Sequence, residues 1–249
     1  MSAAGPQASL LAIDAGNTRI KWGLHDGHGW AATGSVATAD SATLHRAWHG
    51  AALAPRAIAC NVAGGTVEHD LQSACERRGI ALQVVRSSAR AGGVTNSYRD
   101  PAQLGADRWA ALIGAHALAA EDVLVVNAGT ALTIDALTRE GRFLGGLIVP
   151  GPAMMRKALD RGTAGLRLTE GHFADFPQST PDAITTGAAQ AAIGAILRMA
   201  SAMERQGSAP ARVLLSGGAA AEIGAHLPLP ASMHENLVLD GLLVLARPR

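Results

Sequence analysis

One pattern occurs twice in this chain, and it constrains the fold more than any other feature. An apolar run, Leu10 to Ala15, ends in Asp14-Ala15-Gly16-Asn17-Thr18. It is followed by a second run, Arg19 to His25, the turn Asp26-Gly27, and a third run, Trp30 to Val36. Further on, Val123 to Val126 ends in Asn127-Ala128-Gly129-Thr130, followed by Ala131 to Leu137, the turn Arg139-Glu140-Gly141, and Phe143 to Val149. Short apolar runs joined by Gly-containing turns predict an antiparallel meander. Its recurrence reads as an internal duplication of a supersecondary unit, not as a short solenoid repeat. After the first meander the pattern predicts a helical stretch (Thr43 to Leu53), a strand (Arg56 to Asn61), a helix (Thr66 to Arg78) and a strand (Ile80 to Arg86). After the second it predicts a helix from Pro152, a long helix from Pro181 to Met203, a strand from Val213 to Ser216 and further helices. Each half therefore reads as an α/β domain with helices covering a mixed sheet, and the two halves are expected to face each other across a cleft.

Between the meanders, Ala89 to Leu104 carries Gly92-Gly93, Asn96, Tyr98 and Pro101 and reads as irregular, before a helix from about Ala106 to Ala119. The expected organisation is a disordered tail over 1–9, a first domain over 10–118 and a second over 119–249. Hydrophobic residues are 48% of the chain and aromatics only 3%, so the core must be built from Ala, Leu, Val and Ile. A formal net charge of +1 argues against a nucleic-acid binder. No uninterrupted apolar run reaches the length of a bilayer span, and Met1 to Ser9 lacks the basic and apolar regions of a signal peptide. Cys60 and Cys75 have no metal-ligand spacing and read as buried free thiols in a reducing cytoplasm.

A strand ending in Asp-Ala-Gly-Asn-Thr has two readings. It is an ordinary hairpin turn, where Asp, Gly and Asn are expected in any case. It is also a place for a polyanion: Gly16 permits a sharp bend and a close approach, the turn's N–H groups form an anion-binding concavity, and Asn17 and Thr18 add donors. Asp14 at the strand end can hold Mg²⁺ directly or through water, and Lys21 adds positive charge. The second turn favours the functional reading, because Thr130 and its amide would grip the same triphosphate from the opposite side. Neither G-x-x-x-x-G-K-[ST] nor G-x-G-x-x-G occurs, so the common P-loop and dinucleotide routes are not used. Leu215-Ser216-Gly217-Gly218 ends a strand and opens a helix; it suits an adenine ring lying on the backbone, and equally a plain helix entry.

Tyr98-Arg99-Asp100-Pro101 and Leu104-Gly105-Ala106-Asp107-Arg108-Trp109 form the other dense feature. Helix capping with a local ion pair would explain Asp107 and Arg108. The alternative is that Asp107 accepts a hydroxyl proton while Arg108 clamps a carboxylate, with Tyr98 nearby. His45 and His49 at i,i+4 lack an H-E-x-x-H pattern and read as a surface pair. The small residues Gly187, Ala188, Ala191 and Gly194 allow close helix approach, in a core or at a subunit interface.

Asp14-Ala15-Gly16-Asn17-Thr18, Leu104 to Trp109, Ala128-Gly129-Thr130-Ala131-Leu132-Thr133-Ile134-Asp135 and Gly145-Gly146-Leu147-Ile148-Val149-Pro150-Gly151 together resemble the type III pantothenate kinases, in that family's order and over nearly the whole chain. The first turn is shared with sugar kinases, actin and heat-shock ATPases; the Gly-x-Asp-Arg and Gly-Gly-x-Ile-x-Pro-Gly elements are far more specific. The resemblance implies a duplicated actin-like (ribonuclease H-like) ATPase fold, a cytoplasmic homodimer, and ATP-dependent phosphorylation of pantothenate with Mg²⁺ and a monovalent cation, K⁺ or NH₄⁺. It implies that Asp14, Ala15, Gly16, Asn17, Thr18, Arg19, Ile20 and Lys21 form the first phosphate-binding loop and that Thr130 touches ATP. Tyr98, Gly105, Ala106, Asp107 and Arg108 would hold pantothenate, with Asp107 as proton acceptor. Ser179-Thr180-Pro181-Asp182-Ala183 looks like the family's Asn-Thr-x-x-Ala helix start and makes Thr180 a substrate contact. The chain departs from the family at Asn127, where an aspartate usually ligates the monovalent cation. The amide keeps a carbonyl oxygen but lacks the charge, so the cation requirement is implied without its usual ligand.

Three other readings are compatible with such a sequence. One is a kinase of the same fold acting on another small alcohol or carboxylate. Another is a catalytically silent regulatory or transcription accessory relative, against which the intact Asp14, Asp107 and Arg108 argue. The third, an actin- or chaperone-like module, needs subdomains for which 249 residues leave no room.

Overall fold

A computed structural model describes residues 10–48, 54–162 and 170–247. The expected tail over 1–9 and His49 lie outside the described residues. In chain order the elements begin with β1 (Leu10–Ala15), β2 (Arg19–His25), β3 (Trp30–Ala37), α1 (Leu44–Ala47), β4 (Arg56–Asn61), α2 (Gly65–Glu76) and β5 (Ala81–Val85). A short hairpin, β6 (Arg90–Ala91) and β7 (Val94–Asn96), then precedes α3 (Ala106–Leu118). The second series is β8 (Val123–Ala128), β9 (Ala131–Leu137), β10 (Arg142–Pro150), α4 (Pro152–Gly162), α5 (Thr180–Arg205), β11 (Arg212–Ser216), α6 (Ala220–Gly224) and β12 (Ala231–Met233), closed by α7 (Leu237–Leu245).

The chain divides into two compact units, 1–118 together with Leu237–Arg249, and Ala119–Asn236. The first has a five-stranded sheet in the order β3-β2-β1-β4-β5, antiparallel through the meander and parallel from β1 to β4 and β5. The second contains the run β10-β9-β8-β11-β12, again antiparallel through the meander and parallel beyond β8. Strand by strand, the two units repeat the same topology, as the duplicated sequence pattern requires.

Each unit has its own aliphatic core. In the first, Leu11, Ile13, Ile20 and Leu24 of the sheet pack with Leu44, Trp48 and Leu71. In the second, Leu124, Val126, Leu132 and Ile134 pack with Ala192, Ile193 and Ile196 of α5. Helix α5 is long and apolar enough by length and composition to cross a membrane, but its apolar face is spent on this core. The few aromatics cover glycines across the first meander. A β carbon on Gly34 would meet the Trp22 ring at 2.6 Å, and one on Gly23 would meet the Trp30 ring at the same distance. Trp30 Nε1 in turn donates to Asp240 of α7 at 2.8 Å.

Two sequence expectations need correction. Gly92-Gly93 is no interruption of structure: both glycines take left-handed φ (+55° and +82°) and make the two-residue turn of the β6–β7 hairpin. The C-terminal helix, expected within a second domain over 119–249, packs instead against α3, β1 and β4 of the first unit. Glycines permit that approach. A β carbon on Gly241 would lie 1.8 Å from the Ala110 carbonyl oxygen, and one on Gly114 would lie 2.4 Å from that of Leu237. These obstacles are backbone, which cannot swing aside. Gly241→Val should therefore push α7 off α3 and lower stability by about 3 kcal/mol, read from urea unfolding; an unchanged midpoint would contradict this packing.

Candidate functional site

In the first unit the site grows from the ends of β1 and β4 and the start of α3. Asp14 is the last but one residue of β1, paired with Lys21 on the β2 side and Cys60 on the β4 side. The buried Cys60 thiol donates to Asp14 Oδ1 at 3.4 Å. The Asp14 carboxyl is pushed up to about 6, chiefly by burial and also by the Asp107 charge, while the Cys60 hydrogen bond and Lys21 oppose the shift. Burial, with the charges of Asp14 and Asp107, likewise pushes the Cys60 thiol up. A carboxylate at a partly exposed strand end, with the charge of Asp107 near enough to act on it, forms a natural seat for a cation, so the residues present fit a divalent ion.

The turn after β1 is held from both sides. Gly16 N–H donates to the Arg19 carbonyl at 3.1 Å, closing the turn. Thr38 brackets it, its hydroxyl donating to the Gly16 carbonyl at 2.7 Å and its N–H to the Thr18 carbonyl at 3.0 Å. Asn17, Thr18 and Arg19 are exposed, and Arg19 donates to Ser35 Oγ on β3. Ala15 and Ile20 are buried in the sheet, so they support the loop from beneath. Gly16 is not among the left-handed glycines, so the bend itself does not demand glycine; what it provides is the absence of a side chain over the turn.

At the start of α3, Asp107 Oδ1 accepts the Arg108 N–H at 2.8 Å, and a β carbon on Gly105 would meet that oxygen at 2.6 Å. Gly105 is thus the gap into which the Asp107 carboxylate folds, while Ala106 is buried beneath it. Arg108 is 5% exposed, and its Nη1 donates to the Tyr98 hydroxyl at 3.0 Å. Buried Asn96 sets the Tyr98 loop by accepting the Tyr98 N–H at 3.0 Å and donating to the Pro101 carbonyl at 3.2 Å. Asp14, Tyr98, Gly105, Asp107 and Arg108 all lie in the first unit.

In the second unit Asn127 and Ala128 end β8, and Gly129 N–H donates to the Ala131 carbonyl at 3.1 Å, a turn one residue tighter than the first. Thr130 is exposed on it. Two glycines cradle this turn. A β carbon on Gly151 would meet the Gly129 carbonyl oxygen at 2.2 Å, and one on Gly217 would meet Ala128 backbone at 2.6 Å and Asn127 Oδ1 at 2.7 Å. Gly217, at φ +92°, thus has a structural duty beyond the adenine reading of its motif. Thr180 stands exposed in the first turn of α5, which Ser179 caps by accepting the Asp182 N–H at 3.3 Å.

Sequence reasoning missed Thr38, Cys60 and Asn96. Each acts through strand register or a hydrogen bond to a turn, for which no local motif exists.

The sequence profile of the family described as type III pantothenate kinase matches residues 10–202. A type III pantothenate kinase of Nitrosospira multiformis is 43% identical over 238 residues, 96% of this chain and 91% of that one. Among solved structures, the Campylobacter jejuni protein proposed as a Baf family transcriptional activator aligns with TM-score 0.63 at 20% identity, covering 94% of this chain and 95% of its own. A proposed 2-dehydro-3-deoxygalactonokinase of Sinorhizobium meliloti aligns with TM-score 0.61 at 16% identity, over 96% and 98%. These two likenesses speak for the fold, that of the actin-like and sugar kinase ATPases.

Proposed function

The chain belongs to the type III pantothenate kinase family, and from that premise we propose how it moves the γ-phosphate of ATP onto the primary hydroxyl of pantothenate, the first step of coenzyme A biosynthesis. The observation that carries the site assignment is the hydrogen-bonded Asp14 at the end of β1, acted on by the charge of Asp107, in the same unit as the buried Arg108–Tyr98 contact. In this reading the turn from Asp14 to Lys21 binds the ATP phosphates through its backbone N–H groups, Asn17, Thr18 and Lys21, and Thr130 contributes a further contact to ATP. Asp14 holds Mg²⁺, which when bound neutralises charge on the transferring phosphoryl group. Arg108 and Tyr98 hold pantothenate by its polar end, with Gly105 and Ala106 shaping that wall and Thr180 adding a contact. Asp107 takes the hydroxyl proton as the oxygen attacks phosphorus, and the bond from the γ-phosphorus to the bridging oxygen breaks to release ADP.

A coupled ADP-release assay with ATP, Mg²⁺ and pantothenate tests this reading. Pantothenate-dependent turnover is expected; phosphotransfer indifferent to pantothenate would point to another small alcohol or carboxylate. The same assay addresses the monovalent cation. Because Asn127 offers an uncharged oxygen where a carboxylate is usual, turnover should change little when Na⁺ replaces K⁺ or NH₄⁺, and Asn127→Asp should make it K⁺-dependent. Strong K⁺ activation of the unaltered protein would show that the amide suffices. The accessory-factor reading is not favoured, since the likeness to the Baf family protein speaks for fold alone. We further propose a cytoplasmic homodimer. The exposed small residues Ala183, Gly187, Ala191 and Gly194 give α5 a face that another helix can approach closely, and sedimentation would report the dimer.

A further inference from the structure

We infer that Cys60 is a positioning residue for the phosphate site, its thiol fixing the Asp14 carboxylate from the neighbouring strand. The inference rests on the reading of Asp14 as the Mg²⁺ ligand. Its basis is geometric. β1 and β4 run parallel with Asp14 opposite Cys60, and the thiol meets Oδ1 at 3.4 Å, within the range of a sulfur donor. Cys60 is 0% exposed and bonded to no other cysteine, so neither solvent nor a disulfide competes for that hydrogen.

The arrangement divides the work at Asp14. With Oδ1 engaged by sulfur, the carboxylate has one fixed rotamer, and the other oxygen is left for the cation and its water. Nothing else among the contacts described at Asp14 sets the carboxylate's rotation: Lys21 faces it from β2 as a flexible charge, and Asp107 repels it. A weak, compact donor suits the place. A lysine or arginine there would neutralise Asp14 and weaken its hold on a divalent ion, whereas a thiol orients it and leaves the charge available.

Cys60→Ala removes the donor and Cys60→Ser keeps one. The prediction is that Cys60→Ala raises the half-saturating Mg²⁺ and the KM for ATP several-fold, with the KM for pantothenate unchanged, and that Cys60→Ser restores both towards the original values. Equal losses in the two variants, or a parallel rise in the KM for pantothenate, would reduce Cys60 to a packing residue and overturn the inference. So would a Cys60→Ala protein with unaltered Mg²⁺ dependence. Asp14→Asn, measured alongside, separates the two levels. If it leaves Mg²⁺ dependence intact, the assignment of Asp14 itself fails and this inference with it; if it disrupts Mg²⁺ dependence while Cys60→Ala leaves the half-saturating Mg²⁺ unchanged, only the role of Cys60 is lost.

Discussion

Asp107→Asn should lower turnover with saturating ATP and pantothenate by roughly 10²-fold or more, while the KM for pantothenate stays near its original value. The substitution is close to isosteric, and the geometry explains why it should leave the fold intact. The Asn side-chain oxygen can still accept the Arg108 N–H that Asp107 Oδ1 accepts at 2.8 Å, and it still fits the gap left by Gly105. Arg108 also keeps its contact with the Tyr98 hydroxyl, so the grip on substrate is retained. Only the capacity to take a proton is lost. An undiminished thermal unfolding midpoint with collapsed turnover is the expected pair of results, and near-normal turnover would remove Asp107 from the base role.

How far the sequence reveals this molecule depends on whether each feature is local. The meander strands are legible because each is an apolar run bounded by turn residues, and their recurrence exposes the duplication. The β6–β7 hairpin is not, because Gly92-Gly93 signals a break just as strongly as it signals a two-residue turn, and the strands beside it are too short to show alternation. β12, three residues with no buried member, leaves no apolar signal at all. The placement of α7 is hidden because it depends on Gly114 and Gly241, single glycines in separate helices whose meaning appears only when the backbones touch. At the site, Asp14, Asp107 and Arg108 stand in recognisable motifs, and the family resemblance supplies roles that spacing alone leaves open. Cys60 and Thr38 gain meaning only from strand register and from the path of the chain after β3.

Asp14→Asn should lower Mg²⁺·ATP-dependent turnover by about 10²-fold or more, yet make the ligand-free protein more stable at neutral pH. The stability argument follows from the raised carboxyl. A folded-state value of about 6, above the ordinary 3.8, means that the native state binds this proton more tightly than the unfolded chain does. The cost of carrying the charge is therefore absent below about pH 4, grows as pH rises towards 6, and is fully present above it. Its upper bound at neutral pH is on the order of 3 kcal/mol, since each tenfold difference in proton affinity between the two states corresponds to about 1.4 kcal/mol. The neutral amide escapes that cost. Thermal unfolding of the two proteins without nucleotide or metal should show Asp14→Asn ahead at pH 8 and level near pH 4, whereas a variant less stable at pH 8 would contradict the cause given for the raised carboxyl. Adding Mg²⁺ and ATP should then narrow or reverse the gap, because a cation bound at Asp14 offsets the buried charge and the amide cannot use it. The same carboxylate is thus a stability cost in the empty protein and a binding group in the loaded one, which is the behaviour expected of a residue held for function rather than for folding.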